Sequence, residues 1–364
     1  MRCVIDREAL SKSLRLVQGV VEARVPLPIA SHLLLATEGP ALRLTGTDLE
    51  TTVRVSVPGE ALAQGQVALP AQKFAELVRE LPALPVTLVA ENPAWITVTC
   101  GSARYRLAGA PPEDFPAPEA AGEGVRREMP AEALQAMLAQ TRCAVSLDSH
   151  RAMLTGLLFE LGDGALTLVA TDGHRLARAR RAAEGGTDSA TGIVPRKAVL
   201  QIGRLLSAGE TAKCALTDRA LTFTMPGITL TTRLIEGQFP DYRRVIPTEH
   251  PTKLSLARSA LIEALRRVAV LAESPQRGIQ LSLGAGSLRL SSTNPELGEA
   301  EESLPVEYGG EPLAIGVNAG YLLDALEPLE ADAVVIEVKD ALSPIILHPE
   351  KDTEVLSVIM PMRL

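Results

Sequence analysis

The residues most suggestive of catalysis are Asp172 and His174, which lie two positions apart in the segment TDGHRLA. An aspartate that orients a histidine could supply the general base of a hydrolase. The segment contains no nucleophile motif, however, and an Asp-Gly pair after a strand is more typical of a turn. We therefore predict that the chain has no catalytic residues and is not an enzyme.

Metal and nucleotide chemistry also lack a pattern in the sequence. No cysteine or histidine lies at metal-ligand spacing from a cysteine, and the glycine-rich phosphate-binding motifs are absent. We expect no metal and no cofactor, and we interpret the cysteines as structural thiols in a reducing cytoplasm. The four cysteines are Cys3, Cys100, Cys143 and Cys214.

The amino-acid composition excludes several further classes of protein. The chain has 364 residues, of which 46% are hydrophobic and 3% aromatic, and its net charge is −8. The hydrophobic content is enough for several cores, whereas so few aromatics argue against recognition by stacked rings. The acidic balance argues against a protein that wraps DNA with its whole surface. No apolar run is long enough for a membrane span, and the charged N-terminus is not typical of a signal peptide.

Internal repetition is the strongest pattern in the chain. Four landmarks recur three times in the same order: an amphipathic helix, a Thr-Asp or Thr-Asn pair after a strand, a second amphipathic helix, and an apolar residue followed by proline. The pairs after the strands are Thr47-Asp48, Thr171-Asp172 and Thr293-Asn294. We predict three tandem copies of one domain, over residues 1–124, 125–250 and 251–364.

The elements of each copy predict an α+β fold with mainly antiparallel sheets. Segments such as ALRLTGT and ITLTTRLI alternate apolar and polar residues, and the helices and strands do not follow a repeating βαβ order. The first helix of each copy carries an apolar face at helical spacing. These faces are Leu10, Leu14, Val17 and Val21, then Leu134, Leu138, Thr141 and Val145, then Leu261, Leu265, Val268 and Ala272.

Charge is distributed unequally among the three copies. The first carries −3, the second +3 and the third −8. Basic residues lie opposite the apolar helix faces and could meet phosphate, although solvated helix faces explain them equally well. An acidic segment of the third copy and a basic strand of the first also suit a head-to-tail contact between subunits, unless both are ordinary solvent-facing strands.

Five segments resemble one known family. They are TDGHRLA (171–177), GQFPDYRRVIP (237–247), IVPRK (193–197), LTGTDLE (44–50) and MPMRL (360–364), which are similar to the beta subunit of bacterial DNA polymerase III, the sliding-clamp family. The resemblance covers the whole chain. It implies three similar domains per subunit, a closed ring made by a head-to-tail dimer, and helices that line the hole.

The resemblance further implies three groups of functional residues. A peptide-binding pocket would be lined by Leu154, Thr171, Gly173, His174, Arg175, Leu176, Pro240, Arg244, Val245, Pro344, Val358, Met360, Pro361, Met362, Arg363 and Leu364. DNA would be contacted by Arg24, Lys73, Arg196, Lys197 and Arg277. The dimer interface would include Arg104, Tyr105, Arg106, Leu107, Leu271, Glu296, Glu299, Glu301 and Glu302.

The function implied is that of a cytoplasmic processivity factor. The implied partners are double-stranded DNA, bound without sequence preference, the replicative polymerase subunit, a clamp loader, and other polymerases and repair proteins that carry short peptide motifs. Flexible methionines such as Met360 and Met362 suit a pocket that accepts different apolar anchors. Without the resemblance, buried core is the preferred interpretation of the same methionines, and a peptide-binding repeat scaffold that does not bind DNA remains an alternative class.

Overall fold

A computed structural model describes residues 1–22, 27–92, 95–116, 122, 124–247, 251–272 and 278–364. The α-helices in these residues are α1 (Arg7–Gln18), α2 (Ala71–Glu80), α3 (Ala131–Thr141), α4 (Arg196–Leu205), α5 (Arg258–Val268) and α6 (Ala319–Leu326). Each predicted copy therefore contains two of these described α-helices. None of the described helices is long and apolar enough to cross a membrane.

Strands account for most of the remaining ordered chain. The first copy forms β1 (Arg2–Ile5), β2 (His32–Glu38), β3 (Ala41–Thr47), β4 (Thr51–Val57), β5 (Gly59–Ala63), β6 (Gln66–Pro70), β7 (Val86–Asn92), β8 (Trp95–Cys100) and β9 (Ala103–Ala108). The second forms β10 (Val125–Pro130), β11 (Gly156–Gly162), β12 (Ala165–Thr171), β13 (Arg175–Ala182), β14 (Ala190–Pro195), β15 (Thr211–Leu216), β16 (Ala220–Met225) and β17 (Ile228–Arg233). The third forms β18 (Thr252–Ala257), β19 (Gly278–Gly284), β20 (Ser287–Asn294), β21 (Gly298–Pro305), β22 (Leu313–Asn318), β23 (Ala333–Val338), β24 (Ile345–Pro349) and β25 (Val355–Ile359).

The chain packs as two compact units, each built from parts of two copies. The first unit comprises residues 1–132 and 184–234, and the second comprises residues 133–183 and 235–364. In the first unit, antiparallel sheets run in the orders β5-β1-β7-β8-β9 and β10-β15-β16-β17-β4-β3-β2-β6. In the second unit, antiparallel strands run in the orders β11-β12-β13-β25-β24-β23-β18 and β21-β20-β19-β22. The predicted α+β class with antiparallel sheets is confirmed.

Two strand pairs join successive copies into continuous sheets. Leu230 of β17 pairs with Val53 of β4 in the first unit, and Leu176 of β13 pairs with Val358 of β25 in the second. Because these ladders cross from one copy to the next, the repeated segments of sequence are not the compact units of packing. The copy boundaries at residues 124 and 250 stay predictions.

The helices form for local reasons that the sequence already indicates. Asp6 caps α1 by accepting a 2.8 Å hydrogen bond from the backbone N–H of Ala9, and Asn318 caps α6 in the same way through Tyr321. The predicted apolar faces are buried, as for Leu10 and Leu14. Val21 is the exception within the first face, because α1 ends at Gln18.

Turns connect the antiparallel strands with the backbone conformations that their residues favour. Asp163 and Gly164 between β11 and β12 have φ angles of 49° and 64°. These left-handed values are those of a two-residue hairpin turn, which Asp-Gly pairs favour.

Candidate functional site

The segment TDGH forms a tight turn between β12 and β13, not a catalytic dyad. Oδ1 of Asp172 accepts hydrogen bonds of 2.9 and 3.0 Å from the backbone N–H groups of His174 and Arg175, and Oγ1 of Thr171 accepts one of 3.1 Å from Gly173. Gly173 has a φ of 91°, which a side chain would strain. Asp172 therefore organises backbone, and His174 is held by its main chain on an exposed turn.

Arg175 leaves this turn and becomes the centre of a polar network in the second unit. Its Nε lies 3.0 Å from Oδ2 of Asp172, and its Nη1 lies 2.6 Å from Oδ2 of Asp324. Its Nη2 donates to the carbonyl of Cys143, and the guanidinium stacks 4.2 Å from the ring centre of Tyr321. Burial lowers the pKa of Arg175, but the two carboxylates outweigh this and raise it. The side chain is a cation fixed by three hydrogen bonds and one ring contact.

The C-terminal segment lies against the same turn. After β25 ends, the backbone N–H of Met360 donates a 2.9 Å hydrogen bond to the carbonyl of His174. Met360 is 39% exposed and Leu364 is 68% exposed, so this segment is not a buried core. The alternative that the terminal methionines are simply core residues is therefore wrong for Met360.

A second loop approaches through the short helical segment Ser149–Leu154. A β-carbon at Gly173 would lie 2.8 Å from Nη1 of Arg151, and one at Gly237 would lie 3.7 Å from the β-carbon of Met153. The segment therefore contacts both the TDGH turn and the loop that carries the DYRRV sequence. The segment that carries the predicted pocket residue Leu154 therefore lies beside the predicted residue Gly173 and beside Gly237, three positions before Pro240.

The predicted pocket residues differ in their exposure to solvent. Leu154, Leu176 and Val358 are at most 5% exposed and support the site from the core. The exposed members are Gly173, His174, Pro240, Arg244, Val245, Met360, Arg363 and Leu364, and the half-buried ones are Thr171, Arg175, Pro344, Pro361 and Met362.

Two further candidate surfaces are sheet edges, one formed by β9 in the first copy and one by β21 in the third copy. β9 is the outermost strand of its sheet, and β21 is the outermost strand of another. Arg104 and Arg106 of β9 are exposed, as are Glu299 and Glu301 of β21. An open edge of this kind offers unpaired backbone groups to another strand.

Comparisons with known proteins agree along the full length. Models of the DNA polymerase III beta subunit match in succession, the N-terminal domain over residues 1–119, the central domain over 128–241 and the C-terminal domain over 243–363. The chain belongs to the DNA polymerase III beta subunit family. The family resemblance and the three tandem clamp domains are confirmed.

Relatives and solved structures of the beta-subunit family give the same result. Beta sliding clamps from Pseudomonas aeruginosa and Caulobacter vibrioides are 37% and 35% identical to the chain, and each alignment covers 100% of both proteins. The crystal structure of a sliding clamp from Pseudomonas aeruginosa bound to griselimycin is similar, with a TM-score of 0.96, 37% identity and 100% coverage of each chain. Sliding clamps are not enzymes, which agrees with the use of Asp172 in a turn.

The expected DNA-contact residues differ in whether a carboxylate of the same chain already pairs with them. Nζ of Lys197 lies 2.6 Å from Oε1 of Glu22 and also contacts Asp48, and these carboxylates raise its pKa although burial lowers it. Lys73 pairs with Glu76 at 2.8 Å. Arg196 is exposed and has no ion pair among the described residues. The remaining two, Arg24 and Arg277, lie outside the described residues.

The structure also identifies residues that the sequence did not single out. Tyr321 and Asp324 complete the network around Arg175, although nothing in the local pattern of α6 distinguishes them. Val270 lies beside the expected interface residue Leu271 and is 66% exposed. In the sequence, only its place in the apolar pair Val270-Leu271, directly after α5, could have indicated an exposed apolar contact. Of the expected acidic residues, Glu296 lies in the turn between β20 and β21 instead of in a strand.

Proposed function

We propose that this chain is a processivity factor of DNA replication, a sliding clamp whose two subunits join head to tail into a ring around double-stranded DNA. The ring would hold the replicative polymerase, other polymerases and repair proteins through short peptides bound beside the TDGH turn. A separate ATP-driven loader would be needed to open it. Membership of the beta-subunit family along the full length supports this function.

The head-to-tail dimer is supported by the complementary side chains of the two open sheet edges, β9 and β21. On β9, Arg104 and Arg106 lie opposite Thr99 and Thr97, on the other side of the sheet from Tyr105 and Leu107, which lie opposite core residues. The side chains of β21 alternate in the same way: Glu299 and Glu301 share one face, and Ala300, Glu302 and Leu304 share the face that packs on α5. A paired β9 and β21 would place cations against carboxylates on one face. On the other face, Tyr105 and Leu107 would meet Ala300 and Leu304, with Glu302 held by Arg267 of its own chain.

The ion pairs of the acidic residues within their own chain indicate which of them are available to a partner subunit. Nε of Arg267 on α5 lies 2.6 Å from Oε1 of Glu302, so this carboxylate already has a partner within its own chain. Glu301 lies 3.7 Å from Arg289, with 59% of its side chain exposed. We therefore assign the intersubunit charge to Glu299 and Glu301 before Glu302.

Weak phosphate contacts suit a ring that slides. Lys12 and Arg15 on α1 and Arg196 and Arg204 on α4 are exposed and have no carboxylate partner among the described residues. Cations of this kind bind phosphate without sequence preference and with strong salt dependence. Topological closure, not tight binding, would then retain the clamp on DNA. We propose a cytoplasmic location, in agreement with four free cysteines.

Retention on circular and linear DNA tests the proposal. The clamp is loaded by a purified loader and ATP onto nicked circular plasmid, which is then either left closed or cut once, and bound protein is separated by gel filtration. We expect retention on the circle and loss after linearisation, because a ring slides off an end. Equal loss from both molecules would contradict the topological mechanism, and a protein that sediments as a monomer would favour a peptide-binding scaffold.

A further inference from the structure

The C-terminal tail continues along an open sheet edge in the second unit. β22 is the outermost strand of the sheet β21-β20-β19-β22. The backbone N–H of Met362 donates a 2.8 Å hydrogen bond to the carbonyl of Gly316 in that strand. The tail therefore uses a backbone group that an edge strand leaves unpaired.

Two glycines make room for the end of the tail. Gly316 pairs with Gln280 and Gly278 precedes Gln280 by two residues, so the two glycines are diagonal neighbours on one face of the sheet. A β-carbon at Gly316 would overlap the carbonyl oxygen of Met362 and lie 2.8 Å from Cγ of Leu364. A β-carbon at Gly278 would lie 2.6 Å from Cδ2 of Leu364. Neither glycine has a positive φ, so the close approach, not the backbone conformation, requires them.

The tail is consequently held at both ends of a short span. At one end the N–H of Met360 bonds to the TDGH turn, and at the other Leu364 lies on the two glycines. Pro361 between them restricts its own φ, which limits the conformations of the span. Leu364 keeps 68% of its surface exposed, so only one side of it meets the glycines and the other faces outwards.

We propose that Gly278 and Gly316 form a notch for the C-terminal Leu364, and that this notch positions Met360 and Met362 for peptide binding. This inference rests on the proposed peptide-binding function. The two glycines are positioning residues: they act by setting the path of the tail. Without the notch, the tail would leave the β22 edge, and the methionines would lose the fixed backbone from which their side chains adapt to a peptide.

The test compares alanine at the notch with alanine elsewhere in the same sheet. Gly316→Ala introduces the overlapping methyl group, whereas Gly284→Ala in β19 meets nothing closer than Oγ of Ser287 at 4.0 Å. The intact protein is titrated into a fluorescein-labelled peptide that contains a glutamine and a Leu-Phe pair, and anisotropy is recorded. We expect Gly316→Ala to weaken peptide binding about tenfold and Gly284→Ala to leave it unchanged. Equal affinity of Gly316→Ala and the unmodified protein would overturn the notch.

A second background separates the notch from the pocket. In a chain that lacks residues 362–364, Gly316→Ala should have no further effect on peptide affinity, because the clash partner is gone. If the deletion weakens binding and Gly316→Ala in the full chain does not, the notch is wrong and the pocket stands. If the deletion itself has no effect, the proposed pocket fails. Leu364→Ala, which leaves the sheet unchanged, replaces Gly316→Ala if that variant does not fold, and it should also weaken binding.

Discussion

The phenol oxygen of Tyr242 donates a 2.7 Å hydrogen bond to Oε2 of Glu160, which lies in β11 of the second unit. Arg243 reinforces the contact, since its Nη2 lies 3.0 Å from Oε1 of Glu160 and its guanidinium stacks on the Tyr242 ring. Burial and the neighbouring carboxylate raise the pKa of Tyr242, so the phenol remains a protonated donor. The bond fixes a short helical turn, Tyr242–Arg244, directly before Val245, which we propose as a pocket residue.

We expect Tyr242→Phe to weaken peptide binding while the protein stays folded and dimeric. The substitution keeps the ring in the core but leaves the Glu160 carboxylate without its phenol donor, at a cost of about 1–2 kcal/mol in the free energy of unfolding. Looser positioning of the turn should reduce peptide affinity about threefold, as measured by fluorescence anisotropy. Tyr308→Phe is the control, because its hydroxyl bonds only to the nearby carbonyl of Glu311 among the described residues. An unchanged affinity with a lowered melting temperature would assign Tyr242 to stability alone.

Charge reversal at Glu301 and at Glu302 should have different consequences. Glu301→Lys should weaken the dimer, since it opposes the cations of β9, and it should leave the melting temperature nearly unchanged. Glu302→Lys places a lysine beside Arg267 and should mainly lower the free energy of unfolding, by a small amount because the pair is exposed to solvent. Sedimentation equilibrium and thermal unfolding measure the two quantities.

A double variant tests whether Glu301 meets a cation of the partner. Arg106→Glu combined with Glu301→Lys exchanges the two charges and should recover much of the dimer affinity that each single change loses. Additive losses in the double variant would show that the two residues do not interact across the interface.

Arg196 and Lys197 are neighbours in sequence but should contribute differently to DNA binding. Arg196→Ala should lower the slope of log K against log salt concentration by about one, because it removes a cation that has no ion pair among the described residues and that we expect to meet phosphate. Lys197→Ala should change this slope little and should destabilise the first unit, because the carboxylates of Glu22 and Asp48 lose their shared partner. Titration of a short labelled duplex at several salt concentrations measures the slope, and urea unfolding measures stability. Equal slopes for the two variants would contradict the assignment.

Glu337 should make the stability of the clamp sensitive to acid. Burial raises its pKa, but Lys253 at 2.6 Å and His348 at 3.2 Å outweigh this and lower the pKa below the ordinary value of 4.5. A carboxylate with a depressed folded-state pKa contributes stability that is present above its ordinary pKa and lost as pH falls through the folded-state pKa.

Glu337→Gln should therefore be less stable than the unmodified protein at pH 7, by about 1 kcal/mol. The difference should narrow below pH 4.5 and vanish once Glu337 is protonated in the folded state. Urea unfolding between pH 7 and pH 3 measures it, with the exposed Glu307→Gln as control. A difference that persists at the acid end would show that the carboxylate charge is not the cause.

Prediction from sequence succeeded where near neighbours determine the structure. The apolar faces that include Leu261, Leu265 and Val268 are buried as their spacing indicates, and Asp163-Gly164 forms the turn that Asp-Gly pairs favour. The family resemblance then extended this local information to the whole chain. It also predicted a peptide-binding pocket that includes the TDGH turn, which stays a prediction, and it did not distinguish buried residues such as Leu176 from exposed ones.

The long-range pairings depended on the folded chain. Arg175 and Asp324 are 149 residues apart, as are Asp48 and Lys197, and no periodicity connects them. The same holds for Gly316 and Leu364, whose contact depends on where β25 releases the tail. Which cations are already paired, and which remain available for phosphate, could not be read from their residue types.

The sequence by itself determined the three repeats and the α+β class, because periodicity and residue spacing are properties of the chain alone, and the resemblance of five segments indicated the family. Tertiary structure decided that the sheets continue across the copies, that Lys197 and Glu302 are paired internally, and that the tail rests on two glycines. The physical reason is that burial and pairing depend on which distant segments meet in space. Local conformational preferences do not specify which distant segments come into contact, and the packing of the folded chain does.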